Sequence, residues 1–215
     1  MASARLNKLV SLVPACNLLA DVGCDHGYVG IAALQQDKAL SVAFTDISAP
    51  SLHKARANCP QELTDKVSFH CQDGIGSIDA DCAIIAGMGG LEIISILQNA
   101  TRAPAKLVLQ PMRNQRDVRE YISKKYEIVT DEKFYDSKYY DVIVAIQSET
   151  PRALTELELE FGKSNLVNPS ADFVSFLKLE LTKLNTILQG TSDIGVKAKR
   201  DLVEQTLNLI LKKSK

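Results

Sequence analysis

Asp21-Val22-Gly23-Cys24-Asp25-His26-Gly27 decides how this chain of 215 residues is read. The apolar run Leu18-Leu19-Ala20-Asp21-Val22 leads into it, and an amphipathic stretch from Val29 to Gln36 leads out, so the segment is a strand-to-helix turn. Its glycines stand at D-x-G-x-x-x-G spacing. The G-x-G-x-x-G string that brings a backbone up to a pyrophosphate has other offsets. The turn suits a ligand that needs close backbone approach and a carboxylate, Asp21, near positive charge.

The same rhythm continues along the chain. Ser41-Val42-Ala43-Phe44-Thr45, Val67-Ser68-Phe69-His70-Cys71, Cys82-Ala83-Ile84-Ile85-Ala86 and Lys106-Leu107-Val108-Leu109-Gln110 read as further strands. Apolar spacings of three and four predict helices over Ala49 to Asn58, Glu92 to Asn99 and Asn114 to Lys125. The reading is a succession of five βα units, hence a parallel sheet. Glu127 to Tyr135 and Tyr140 to Ile146 are then two β-rich runs separated only by Asp136-Ser137-Lys138-Tyr139. No crossover helix fits there, so this pair is antiparallel. Five parallel units closed by a hairpin is the strand inventory of a Rossmann-like class I methyltransferase, an α/β fold with a seven-stranded sheet whose last strand is antiparallel. A dinucleotide-binding dehydrogenase would more often continue with parallel strands.

Pro151 ends this part, giving a methyltransferase domain over 1–150 and a helical tail over 151–215. In the tail, Ala153 to Phe161 reads as a helix that Gly162 ends in the left-handed conformation. Phe173 to Gln189 and Val196 to Lys213 read as two longer helices joined by Gly190 to Gly195. They form an antiparallel hairpin or coiled coil. It serves either packing and dimerisation or substrate docking.

Composition sets limits on the rest. Hydrophobic residues at 46% and charged residues at 24% are ordinary for a globular protein. A net charge of -1 neither requires nor excludes a polyanionic partner, because a basic patch can be cancelled elsewhere in the sum. Five cysteines without a C-x-x-C pair suggest neither a disulfide framework nor a zinc site, so no metal is expected. No apolar stretch reaches the roughly 18 to 20 residues of a membrane span, and a cytoplasmic protein is expected.

Each of the first four strands is followed by residues suited to a methyl donor with a carboxylate, an ammonium, a sulfonium, a ribose and an adenine. After the first strand, Asp21, Gly23 and Gly27 shape the turn. Asp46 and Ile47 end the second, where a carboxylate accepts hydrogen bonds from ribose hydroxyls or else caps the next helix. Gln72, Asp73 and Gly74 follow the third strand, with an acidic side chain placed for an adenine amine. Gly87, Met88 and Gly89 follow the fourth and let a ligand approach the backbone ahead of a helix N-terminus. All lie on the carboxyl edge, where open α/β sheets bind ligands. The expected cofactor is S-adenosylmethionine.

Taken together, Arg5-Leu6, Asp21 to Tyr28, Thr45-Asp46-Ile47, Asp73-Gly74, Ile85 to Gly90 and Leu107 to Pro111 make the chain similar to the bacterial tRNA (adenine-22, ring nitrogen 1)-methyltransferases. The strings D-x-G-x-D-H-x-Y and A-G-M-G-G are the specific part. Gly27, Gly30, Ala49 and Met112 depart from the family's usual residues. The resemblance implies methyl transfer to an adenine in the D-arm region of tRNA, with the tail helping to hold the RNA. Adenine exocyclic-amine methyltransferases carry an N/D-P-P-Y/F/W string after the fourth strand, and Gly87-Met88-Gly89-Gly90 stands there instead. Ring nitrogen 1 already has an in-plane lone pair and becomes cationic on methylation, so a carboxylate would stabilise the product side. Asp25 is the catalytic candidate, or else a turn-stabilising residue. His26 shapes the pocket or handles a proton, and Tyr28 offers a ring to the base. Candidate RNA phosphate contacts are Arg5, Lys8, Arg113, Arg116, Lys197, Lys199 and Arg200, with Arg5 and Arg113 expected nearest the carboxyl edge. A monomer or weak homo-oligomer is expected. A methyltransferase for another RNA or a small molecule, and a non-catalytic binding module, are the alternatives.

Overall fold

The computed structural model describes residues 3–213; residues 1–2 and 214–215, the outermost positions of the two parts read from the sequence, lie outside the described residues. Strands β1 (Cys16–Val22), β2 (Ala39–Asp46), β3 (Val67–Cys71), β4 (Cys82–Met88), β5 (Lys106–Pro111), β6 (Tyr126–Asp136) and β7 (Lys138–Gln147) form one sheet in the order β3-β2-β1-β4-β5-β7-β6. β1 to β5 pair in parallel, and β7 runs antiparallel to both of its neighbours. The strand order reverses at β1, with β2 on one side and β4 on the other. The carboxyl ends of these strands therefore open a crevice at a topological switch point.

Helices α1 (Ala4–Leu12), α2 (Tyr28–Gln35) and α3 (Ala49–Asn58) cover one face, with Leu9, Leu19, Phe44 and Ile84 in a common core. Helices α4 (Gly90–Asn99) and α5 (Gln115–Ile122) cover the other, with Ala20, Ile85, Ile93 and Val118. The pleat sends successive residues such as Leu19 and Ala20 to opposite faces, and both faces are buried. That is why the parallel strands read as unbroken apolar runs.

Four expectations need correction. The third unit has no crossover helix: residues 72–81 are a loop whose Gly74 and Gly76 have positive φ, and a short 3-10 turn (Gln61–Lys66) precedes β3 instead. The β6–β7 separator is Ser137 alone, because Asp136 and Lys138 are still paired and Ser137 turns the chain at φ 62°. The first tail helix begins later than expected. It is α6 (Glu156–Phe161), started by a capping box in which Thr155 and Glu158 satisfy each other's backbone N–H groups. Gly162 after it has φ 82° but ψ 139°, so it leaves the helix in a positive-φ conformation open to glycine, outside the left-handed helical region expected of it. The short helix α7 (Lys163–Val167) follows directly and packs on β6.

Helices α8 (Ala171–Leu188) and α9 (Ile194–Lys213) form the hairpin, closing Phe173, Leu177, Leu184, Val203, Leu207 and Ile210 between them and α6. The tail is held to the sheet by a buried charge network. Arg119 of α5 grips Asp131 of β6 with two bonds of 2.8 and 2.9 Å and reaches Asp141 of β7 at 2.9 Å. It also donates to the Leu159 and Glu160 carbonyls of α6. Among the described residues no helix is long and apolar enough to cross a membrane.

Candidate active site

A cavity of about 500 Å³ opens at the carboxyl ends of β1, β2, β3 and β4. It gathers Asp21, Gly23, Asp25, His26 and Tyr28 from the first turn, Asp46 and Ile47 from the second, Gln72, Asp73 and Gly74 from the third, and Gly87 and Met88 from the fourth. Arg5 of α1 closes one side. Gly27 and Gly89 are not in its wall; they are the N-cap residues of α2 and α4.

The first turn is built around Asp21. Its buried carboxylate accepts the Gly30 N–H at 2.9 Å, doing for α2 the capping that the Gly27 N-cap cannot. Burial, with Asp46 nearby and only partly offset by the Gly30 bond, pushes the Asp21 carboxyl up to about 7. Gly27 turns the chain at φ 70°, and a Cβ on Gly30 would lie 2.5 Å from the Phe44 ring, so the glycine lets α2 settle onto the sheet. Gly23 has φ 64°, and a Cβ there would run into the Met88 methyl, which lies across the turn. Burial raises the Cys24 thiol, and Asp21 and Asp46 raise it further, so it stays protonated and serves as packing.

Asp46 ties two turns together. One carboxylate oxygen accepts the Asp25 N–H at 3.1 Å and the other the Ser48 N–H at 2.8 Å. Each oxygen keeps a further lone pair for a ligand. Ser48, not Asp46, caps α3. The Gln72 side chain turns back to the Gly74 and Ile75 carbonyls, shaping the third loop.

Asp25 sits in the left-handed region at φ 45°, more than half exposed, with Lys54 Nζ at 3.4 Å and His26 Nε2 at 3.6 Å. The His26 and Tyr28 rings lie parallel, 5.2 Å apart, and Tyr28 is 50% exposed. This side of the cavity thus presents a flat aromatic pair beside a carboxylate.

The basic candidates separate by position. Arg5 lies in the cavity wall, with its guanidinium on the Gln110 amide oxygen at 2.8 Å. Arg113 packs over Gly89 at the start of α4. Lys8 pairs with Glu132, Arg116 with Glu156, Lys199 with Glu160, and Arg200 with Asp201 and Glu204. Lys197 is exposed at the beginning of α9. Sequence reasoning missed two residues here. Glu92, in the first turn of α4, lines the cavity, and the fully buried Gln110 aims Arg5. A glutamine ending an apolar strand just before a proline was the available signal for the second. Among the described residues no group of three or more metal-ligating side chains occurs.

Antiparallel β7 sets this sheet apart from the dinucleotide-binding dehydrogenases, and the crevice has no pyrophosphate turn. One class has this architecture, the S-adenosylmethionine-dependent methyltransferases of class I. The family model described as a methyltransferase domain matches residues 2–143. The tRNA (adenine(22)-N(1))-methyltransferase of Bacillus subtilis (strain 168) is 31% identical over 176 residues, which are 78% of this chain and 73% of that protein. Among solved structures, an uncharacterized protein from Listeria monocytogenes serotype 4b is 26% identical with a TM-score of 0.86, covering 100% of both chains. The M. capricolum TrmK structure in complex with S-adenosyl-homocysteine has a TM-score of 0.88 at 24% identity, covering 98% of this chain and 99% of that one. The chain belongs to the tRNA (adenine(22)-N(1))-methyltransferase family.

Proposed function

We propose that this protein transfers the methyl group of S-adenosylmethionine to ring nitrogen 1 of adenine 22 in the D-arm region of tRNA. The observation that carries the reading is the meeting of four strand-end turns in one cavity whose exposed side holds Asp25, His26 and Tyr28 together. The donor set fits the cofactor. Asp21 and Asp46 put negative charge near its cationic groups, and Asp46 offers its remaining lone pairs to the ribose. Ile47, Asp73 and Gly74 form the adenine side, with Gln72 holding that loop in shape. Gly23, Gly87 and Met88 bring backbone close, while Gly27 and Gly89 act from outside the wall by starting α2 and α4. The bound cofactor supplies an electrophilic methyl group.

The chain's own residues do the rest. Ring nitrogen 1 attacks with an existing lone pair, so no base has to remove a proton first. Asp25 stabilises the positive charge that grows on the adenine, and Tyr28, backed by His26, gives the ring a surface to lie against. Most of the rate comes from holding nitrogen and methyl in line. The pairing edge is hidden in a duplex, so the target nucleotide is flipped out or unpaired on binding. Arg5 and Arg113, nearest the crevice, meet phosphates first. Arg116 and Lys8, whose ion pairs face solvent, can exchange their carboxylate partners for phosphates at small cost, since exposed ion pairs are worth about 0–1 kcal/mol, whereas Lys199 and Arg200 are half-buried against theirs and exchange them less readily. Lys197 extends that set along the tail.

In this reading residues 1–150 carry the chemistry and 151–215 help hold the RNA, in a cytoplasmic monomer or weak homo-oligomer. The test is incubation of unmodified tRNA transcripts with labelled cofactor, followed by mass-spectrometric mapping of the methylated nucleoside. Label at ring nitrogen 1 of adenine 22 is expected. Label on another atom or another RNA overturns the substrate, and cofactor binding without any transfer overturns the enzyme.

A further inference from the structure

Gln110, near the end of β5, is fully buried, and its amide has two neighbours. Nε2 donates to the Met112 sulfur at 3.1 Å, and the amide oxygen accepts from Arg5 Nη1 at 2.8 Å. Chemistry fixes that orientation, because a guanidinium can only donate and a thioether can only accept. Met112 is itself anchored by its backbone N–H on the Met88 carbonyl at 2.8 Å.

Arg5 is held at three points. The Asp136 carboxylate takes its backbone N–H at 2.8 Å, the Tyr140 ring centroid lies 5.5 Å from its guanidinium carbon, and Gln110 takes one of its five N–H donors. The other four meet no acceptor among the described residues, and no carboxylate there lies within ion-pair distance of the guanidinium. Lys8, one turn along the same helix, is by contrast paired with Glu132, and Arg116, Lys199 and Arg200 have carboxylates of their own. Among the described residues that line the cavity, Arg5 is the only arginine or lysine. A neutral amide thus aims this guanidinium without cancelling its charge, where a glutamate would do both. A fork held in place beforehand also loses less freedom when it binds.

We propose that Gln110 is a positioning residue that keeps Arg5 aimed and uncancelled for an oxyanion in the cavity, which the remaining guanidinium N–H groups grip. The inference rests on the methyl-transfer reading above, and that reading brings two such groups: the carboxylate of the cofactor and the phosphate of the flipped adenosine. The target base is not the partner, because a guanidinium against a ring that becomes cationic would oppose the reaction.

The experiment compares wild type, Gln110→Glu, Gln110→Met, Arg5→Met and the double variant of the two methionine changes, each checked for folding by its melting temperature. Cofactor affinity is read by calorimetry without RNA, then KM and kcat for tRNA at saturating cofactor, then tRNA affinity across a salt series. Gln110→Glu keeps the acceptor and its size but pairs the guanidinium with a carboxylate. It should weaken binding of the oxyanion about tenfold or more, the effect of a lost charge-assisted hydrogen bond, with kcat within about threefold. A loss of cofactor affinity names the carboxylate. A raised KM for tRNA, with a salt dependence of log affinity shallower by about 0.7–0.9, names the phosphate. Gln110→Met removes the acceptor and leaves the charge, so it should cost a few-fold, and nothing further once Arg5→Met is present. That cycle decides the matter if Gln110→Glu does not fold: an equal loss with and without the Arg5 side chain overturns the positioning role. A folded Gln110→Glu that binds cofactor and tRNA like wild type overturns it too, and leaves the tRNA reading standing. A wild type that methylates no tRNA overturns that reading and the phosphate, while the calorimetry still decides the carboxylate.

Discussion

Asp21 ends β1 with its carboxylate on the Gly30 N–H, 2.9 Å away, so one buried acid both starts α2 and faces the candidate cofactor cavity. Burial has raised it to about 7, above the ordinary value near 3.9 that it has in the unfolded chain. The native state therefore favours the protonated form. That contribution to stability is fully present below about pH 4 and is lost as pH rises through about 7. Without ligand, the melting temperature of wild type should decline across that window relative to Asp21→Asn, which keeps the acceptor but cannot ionise. A cationic cofactor favours the ionised acid, so its affinity should rise with pH in wild type and change less in the variant. Calorimetry at several pH values checks both, and identical pH profiles in the two proteins would remove Asp21 from the linkage.

Gly23 offers a second test of the same turn. At φ 64° an alanine carries the left-handed penalty of about 1 kcal/mol, and its Cβ would displace the Met88 side chain from across the turn. Met88 is flexible enough to move, so the fold should survive with a melting temperature about 2–4 °C lower. Cofactor affinity should drop by much more, because the displaced thioether and the new methyl both enter the cavity. Equilibrium binding separates the two effects, and near-wild-type affinity in Gly23→Ala would place the ligand elsewhere.

What the sequence made legible was local. The turn from Asp21 to Gly27 announces itself through two glycines between a strand and a helix, and Asp46 through its place at the end of an apolar run. These positions meet because parallel strands bring their carboxyl ends to one edge, which periodicity alone predicts. The Arg5–Gln110 contact, 105 residues apart, has no local signature, nor has the clasp of Arg119 on Asp131, Asp141 and two carbonyls of α6. The late start of α6 is set by the Thr155-x-x-Glu158 box, a local signal that the reading of a helix from Ala153 leaves unused. Nothing local distinguishes a lysine paired with a carboxylate, such as Lys8, from one left for a phosphate.

Arg119 should be the costliest single side chain in the sheet–tail junction. It is fully buried, and although burial alone would lower its proton affinity, Asp131 and Asp141 hold it above the ordinary arginine range. Asp141 in turn is kept below the usual carboxylate range, since Lys133 and Arg119 together outweigh its burial. Arg119→Ala would leave buried carboxylates short of a partner, at a cost of about 3–5 kcal/mol. It would also release the Leu159 and Glu160 carbonyls, so limited proteolysis should begin between β7 and α7 at denaturant concentrations where wild type resists. Chemical denaturation that shows a loss below about 1 kcal/mol would mean the network is dispensable.

Asp25 tests the chemistry apart from the fold. Its neighbours at 3.4 and 3.6 Å are too far for tight ion pairs, so its charge is not consumed by Lys54 or His26. The structural demand on the residue is its left-handed φ and its backbone N–H to Asp46, and asparagine meets both without the charge. If the carboxylate stabilises the adenine as it becomes cationic, Asp25→Asn should lose kcat by about 10²–10³, with cofactor affinity and melting temperature close to wild type. Asp25→Ala should lose as much turnover and slightly more stability, because alanine tolerates φ 45° less well. If the residue only shapes the turn, the order reverses: asparagine would keep most of the activity and alanine would lose it together with cofactor binding. Single-turnover methylation of tRNA by the two variants, read beside their cofactor affinities, decides between charge and shape.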